Sequence, residues 1–317
     1  MNYLKKYLVL LSIAFLYSCT TNPIDVDLKP LAPKMVVASQ FTPDSILYVT
    51  VTKSFSALTT FETMSLSDAE KITYQNLLVT FSFENKTDTL FELFPGVYST
   101  APSENFIGGT RRLFQANTPC ELQIKDLLTS EASWSSSVML PMITFDSIRP
   151  IIEQGIFSLL RYKVSVKYTL TDIPNTDNWY MVNYYVPETK DSMYFANIID
   201  NVRSYKINLL EAYNEITGVN AINAQTEIFT DEGFKNRSFT YEKVLRNTQP
   251  SDSNLIVSVS NISQGFYEFL NTQKKAGKLF NQLVKEPLNY PSNVQNGYGY
   301  FNTHLTDVRI FNLNDYK

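Results

Sequence analysis

Along most of the chain apolar and polar residues alternate with a period of two, the signature of strands with one buried face. Ser45–Thr52 (SILYVTVT) sets Leu47, Val49 and Val51 against Ile46 and Tyr48. Leu77–Phe83 (LLVTFSF) places Leu77, Val79, Phe81 and Phe83 on one side. Asp88–Leu93 and Val97–Ser99 flank Phe94-Pro95-Gly96, a turn signal. Glu121–Ile124 and Ser135–Leu140 read as further short strands, so residues 34–145 are expected to form one β domain. Pro141–Pro150 (PMITFDSIRP), bounded by prolines, reads as the boundary. Beyond it Tyr162–Tyr168 alternates with apolar residues on even positions. Trp179–Val186 (WYMVNYYV) is dense enough to be covered on both faces. Leu255–Val259 and Asp307–Leu313 are the late strands. One helix is expected near residues 264–284, with Phe266, Phe269, Leu270, Phe280, Leu283 and Val284 on its inner face. Lys274, Lys275 and Lys278 would face water. The pattern predicts an all-β fold (mainly β) of two β-sandwich domains, immunoglobulin- or transthyretin-like, the second (146–317) carrying the amphipathic helix.

The N-terminus has a different pattern. Lys5 and Lys6 precede an apolar run from Tyr7 to Tyr17, broken only by Ser12. That run is far short of the roughly 20 residues a membrane-spanning helix needs. Residues 1–18 therefore read as an export signal. Leu16-Tyr17-Ser18-Cys19 has the form of a bacterial lipobox, with a small residue before the cysteine. On this reading Cys19 is acylated and residues 19–33 are a tether to the membrane, extended by three prolines. The plainer alternative is an ordinary secretory signal with a chance cysteine. If Cys19 is consumed by lipid, Cys120 has no disulfide partner and is expected to be a small buried hydrophobe.

Composition then removes whole classes of chemistry. Lys plus Arg number 27 against 31 Asp plus Glu, a net charge of -4 that offers no field for nucleic acid. Losing Lys5 and Lys6 with the signal makes the body more acidic, so it is expected to stand off an anionic membrane. One histidine and two cysteines leave no donor set for a zinc centre, and no metal or other cofactor is expected. His304, the only imidazole, has no Gly-x-Ser-x-Gly elbow to serve and is expected to be a strand histidine. Asn296-Gly297-Tyr298-Gly299-Tyr300 lacks the third glycine and the helix of a dinucleotide loop. Asp231-Glu232 reads as a loop before Phe234, and Asp172…Asp177 as an Asx-type turn rather than a calcium site.

Several phrases, in order, resemble one family. They are Met35-Val36-Val37-Ala38 before a strand, Gly96-Val97-Tyr98, Thr171-Asp172 followed by Trp179-Tyr180, and Thr230-Asp231-Glu232-Gly233-Phe234. Glu286-Pro287, Ser292-Asn293-Val294 and Asn296-Gly297-Tyr298-Gly299-Tyr300-Phe301 complete the set and are its most specific block. Together these are similar to the domain-of-unknown-function 4249 group of Bacteroidetes-type lipoproteins. The resemblance implies export to the outer membrane, lipid anchoring and association with TonB-dependent transporters, without an established activity.

The leading expectation is a non-catalytic lipoprotein of the cell outer membrane, accessory to such a transporter or to another envelope assembly. A surface glycan- or ligand-binding module is the alternative, and a carboxylate-based hydrolase a more distant one. The expected contact loop is Tyr290, Asn293, Asn296, Tyr298 and Tyr300, because tyrosine offers area and a hydroxyl at low rotamer cost. Only two tryptophans are present for sugar stacking, which disfavours the glycan reading.

Overall fold

The computed structural model describes residues 32–41, 47–54, 73–100, 115–154, 162–185, 224–245, 254–276 and 290–316. The signal sequence, Cys19 and nearly all of the tether lie outside the described residues. Through the first half run β1 (Met35–Phe41), β2 (Leu47–Lys53), β3 (Leu77–Phe83), β4 (Lys86–Phe94), β5 (Val97–Ser99), β6 (Pro119–Asp126) and β7 (Ala132–Val138). There follow β8 (Phe145–Gln154), β9 (Tyr162–Thr171), β10 (Trp179–Tyr185), β11 (Ala224–Thr230), β12 (Ser238–Val244) and β13 (Asn254–Ile262). Helix α1 (Gln264–Ala276), β14 (Gly297–Tyr300) and β15 (Thr306–Asn312) complete the described residues, with 3-10 turns at Asp231–Gly233 and Leu313–Tyr316. The fold is mainly β, as the alternation predicts.

Eight strands form one curled sheet in the order β14-β1-β2-β5-β4-β3-β6-β7. Period-two patterning decides its inner face: Leu47, Val49 and Val51, then Val79, Phe81 and Phe83, then Cys120, Leu122 and Ile124 all point into one apolar core. The sheet is nearly closed, because Trp134 of β7 bridges Gln295, just before β14. Closure removes the exposed edges that an open sheet of this size would offer to other chains.

The other strands form two sheets, β12-β9-β8 and β11-β10-β13-β15. They share a core of Val164, Val166, Tyr168 and Leu170 from β9 with Tyr180, Val182 and Tyr184 from β10 and Val257 and Val259 from β13. The dense strand β10 is indeed covered on both sides, since Met181 and Trp179 pack with Phe266 and Phe269 of α1. The expected helix is described through Ala276; Phe280, Leu283 and Val284 lie outside the described residues. Pro141–Pro150, read as a boundary, contributes its second half to β8. There Pro150 sits on an edge strand, where a missing N–H breaks no ladder.

Two features of the connectivity matter for the site. First, β14 comes from the expected second domain but pairs in parallel with β1 of the first. Pro33–Lys317 is one compact unit. Second, the strand ends define two ends of the nearly closed sheet. Met35 lies opposite Lys53 and Gly297, Leu77 opposite Asp126, and Lys125 opposite Ala132, all at the end where the chain enters through Lys34. The Phe83–Lys86 turn and the Pro119–Val138 pair lie at the other end, from which the chain leaves toward β8 and β15.

Candidate functional site

The block 290–304 is the best-organised polar feature of the chain. Inner positions of β7 that would ordinarily be apolar are serines, and they face this segment. Ser135 Oγ donates to the Asn293 carbonyl at 2.8 Å and Ser133 Oγ to that of Asn296 at 3.3 Å. Thr303 Oγ1 donates to Ser137 Oγ at 3.0 Å. Asn293 folds back on its own segment: its Oδ1 accepts from Phe301 N at 2.8 Å and its Nδ2 donates to Phe301 O at 2.7 Å. The Asn293 side chain thus satisfies the backbone of a residue that is itself fully buried.

The glycines of the block admit β1. A side chain on Gly299 (φ +100°) would place its Cβ 1.9 Å from the Val37 carbonyl oxygen, and one on Gly297 would come 2.7 Å from that of Met35. Asn302 is the bolt between the two halves. Its backbone N donates to Ser39 Oγ of β1 at 2.9 Å, and its Oδ1 accepts from Ser263 Oγ at 3.2 Å. Ser263 Oγ also accepts from Phe266 N, capping α1.

Each residue of the expected contact loop therefore has a place. Asn293 and Asn296 hold the closure, Asn296 donating through Nδ2 to Ala132 O at 3.4 Å. Tyr300 lies against the α1 rings of Phe266 and Phe269, with centroids 5.7 and 5.8 Å away. Tyr290 meets Phe269 edge-on but stays exposed, and Tyr298 is exposed with Lys34 Nζ 5.4 Å from its ring. Sequence reasoning did not single out Asn302, Ser39, Ser263 or the β7 serines. The alternating serines of Ser133–Ser137 were the one visible signal, polar residues on a face that a strand should bury.

His304 is buried in the same block. Asn302 Nδ2 lies 2.9 Å from its Nδ1, and burial pulls the imidazole down to about 4. It is a neutral structural histidine, held by a bridge to Leu140. Cys120 is likewise buried, its thiol pushed up to about 11 by desolvation.

A second constellation joins the β9–β10 loop to the β11–β12 loop. Asp172, buried, accepts from Tyr180 Oη at 2.5 Å, Asn178 Nδ2 at 3.2 Å and Asn236 N at 2.7 Å. Asp231 accepts through Oδ2 from Asn178 N at 3.0 Å, and Lys235 pairs with Asp177 above it. Burial and the bond to Asp172 push the Tyr180 phenol up, so it stays a donor. Asp172 and Asp231 are occupied by the loop junction they organise. The partners of Asp172 come from Asn178, Tyr180 and Asn236 rather than from the backbone two residues on, where Pro174 has no N–H, so this is not the Asx-type turn expected. Among the described residues no group of three or more His, Cys, Asp or Glu side chains could hold a metal ion. Among them, too, no helix is long and apolar enough to cross a membrane.

Of the phrases quoted from the sequence, Met35–Ala38 and Ser292–Phe301 meet at one joint, the closure. Thr171-Asp172, Trp179-Tyr180 and Thr230–Phe234 meet at a second, the junction around Asp172. Gly96-Val97-Tyr98 belongs to the β4–β5 turn, and Glu286-Pro287 lies outside the described residues. No curated protein matches the chain. The model of a family described as a domain of unknown function (DUF4249) matches residues 21–308, a span that includes both joints, and the chain belongs to that family.

Proposed function

We propose that the protein is a non-catalytic lipoprotein of the bacterial outer membrane, anchored through Cys19, that serves a TonB-dependent transporter or another envelope assembly. One observation supports the non-catalytic part: among the described residues, four groups able to do chemistry are held in structural roles. Asp172 and Asp231 hold a loop junction, His304 is buried neutral, and Cys120 is buried as a thiol. General acid–base or nucleophilic work needs such groups within reach of a substrate. The lipobox at Leu16–Cys19 supports the anchor. More than one acyl chain, at about 0.8 kcal/mol per buried CH₂, would make the attachment lasting.

Affinity capture from crosslinked native envelopes, with a C-terminal tag and a Cys19→Ala control, tests this reading. A barrel transporter recovered with the lipidated form alone is the expected result. Recovery of no barrel protein would overturn the accessory role. Exposed Tyr241, Tyr290 and Tyr298 favour ligand binding as the second reading, which a glycan array showing no signal would remove.

A further inference from the structure

The end of the curled sheet at which the chain enters carries an unusual surface. The β6–β7 turn at its tip exposes two adjacent leucines, Leu127 at 56% and Leu128 at 69%. This turn is tightly held. Asp126, itself buried, accepts from Leu128 N at 2.8 Å and from Thr129 Oγ1 at 3.0 Å. Those bonds, that from Leu128 N foremost, hold its carboxyl below the usual range. Leu127 N donates to Asn76 O and Ser130 N to Asp126 O, so both sides of the turn are fastened. These bonds hold the turn with both leucines outward.

The surroundings share one chemistry. Trp134 and Tyr298 are exposed on the outer face within two residues of this end, and Lys34 covers the Tyr298 ring. Lys53 is the last residue of β2 and Lys125 the last but one of β6, both at the same end. Among the described residues at this end, Asp126 points into its own turn, while Glu92, which accepts from Gly96 N, and Glu131 are exposed. Aliphatic tip, aromatic belt and lysines are the residues that suit the boundary between acyl chains and headgroups.

The chain outside the described residues ends here as well. Only 14 residues separate Cys19 from Lys34, a reach of about 50 Å at full extension. We infer that this end of the molecule seats on a lipid bilayer, with Leu127 and Leu128 entering the acyl boundary and Lys34, Lys53 and Lys125 meeting anionic headgroups. The inference rests on the Cys19 anchor for what brings the bilayer near, and it replaces a body standing off on its tether by one in contact. The second half, joined at the opposite end, then faces away from the membrane.

The test uses the full lipidated chain carrying Leu128→Cys, labelled with a polarity-sensitive thiol dye. It is reconstituted in phosphatidylethanolamine vesicles containing a quarter phosphatidylglycerol. Cys120 is buried and does not compete for the dye. Ala116→Cys, exposed before β6 at the opposite end, is the control. A blue-shifted emission at residue 128, quenched several-fold more by spin-labelled lipid than at residue 116, is expected. Equal quenching at the two positions, in protein that floats with the vesicles, would overturn the lipid contact while leaving the anchor standing. Protein that fails to float would remove the anchor and the contact together.

Discussion

At the scale of single residues, the most consequential atoms are ones that a pattern of apolar positions does not register. The Asn293 side chain answers both backbone groups of buried Phe301. Asn293→Ala leaves that N–H and C=O without partners, and a loss of about 2–3 kcal/mol in urea unfolding is expected. Gly299 has no room for a methyl group beside Val37 O and a φ of +100°. Gly299→Ala is therefore expected to cost about 3 kcal/mol by overpacking and strain, read as a drop in melting temperature. Gly233→Ala, whose added Cβ meets nothing within 4 Å, should leave that temperature nearly unchanged. His304 gives a pH dependence. Its folded value of about 4 lies below the ordinary 6.5, so the unfolded chain binds the proton first as pH falls. The stabilising preference is complete above pH 6.5 and is lost toward pH 4, on the order of 3 kcal/mol in all. His304→Gln should flatten this limb. Unfolding midpoints at several pH values, parallel in both proteins, would exclude the role.

Elements follow the alternation closely wherever one face meets an apolar core. β2, β3, β6 and β9 bury the residues that their period-two pattern assigns. β7 and β14 are the instructive cases. β7 turns serines inward because its partner is not a hydrophobic sheet but the backbone of residues 293–303, which needs donors. β14 is four residues, Gly-Tyr-Gly-Tyr, with no apolar stripe to announce it. Its pairing depends on a close backbone approach to β1, more than 250 positions away in the sequence. The loop junction behaves similarly. Asp172, Asn178 and Asp231 each look like turn formers, and only their meeting makes one buried network. Asp172→Ala strips partners from Tyr180, Asn178 and Asn236 at once. A loss of about 3 kcal/mol is expected, against about 1 kcal/mol for Tyr180→Phe, which removes the bond to Asp172 and the long one from Ile173 N but leaves Asp172 its other partners. Thermal unfolding of the pair checks the ratio.

For the whole molecule, the return of the chain to its first sheet unites the two expected halves. Removing residues 290–317 would uncover the edges of β1 and β7 together and take β15 from the other sheet. Such a truncation is expected to aggregate rather than to leave a folded first half, which size-exclusion chromatography would show. A monodisperse, cooperatively melting fragment would mean that the closure is dispensable. The same connectivity sets polarity along the molecule. The chain enters at one end of the curled sheet, and the second half is attached at the other.

The sequence by itself determined the strand-rich class, the inner faces of the long strands, the first part of the helix and the family. Each of these depends on local periodicity or on phrases that stay contiguous. It also limited the chemistry, because one histidine and two cysteines restrict what any fold could assemble. Only the tertiary structure decided what the most specific phrases do. Asn293, Gly299 and Asn302 act on β1, β7 and the cap of α1, and the Asp172 network on a loop some 60 residues away. Hydrogen bonds and backbone clearances between distant segments leave no periodic trace, since each requires one residue of a given kind at one point in space. The exposed leucines of the β6–β7 turn belong with them. Two apolar residues in a row are ordinary in sequence, and it is the bonds from Leu128 N to Asp126 and from Leu127 N to Asn76 that hold them outward beside the point where the chain enters.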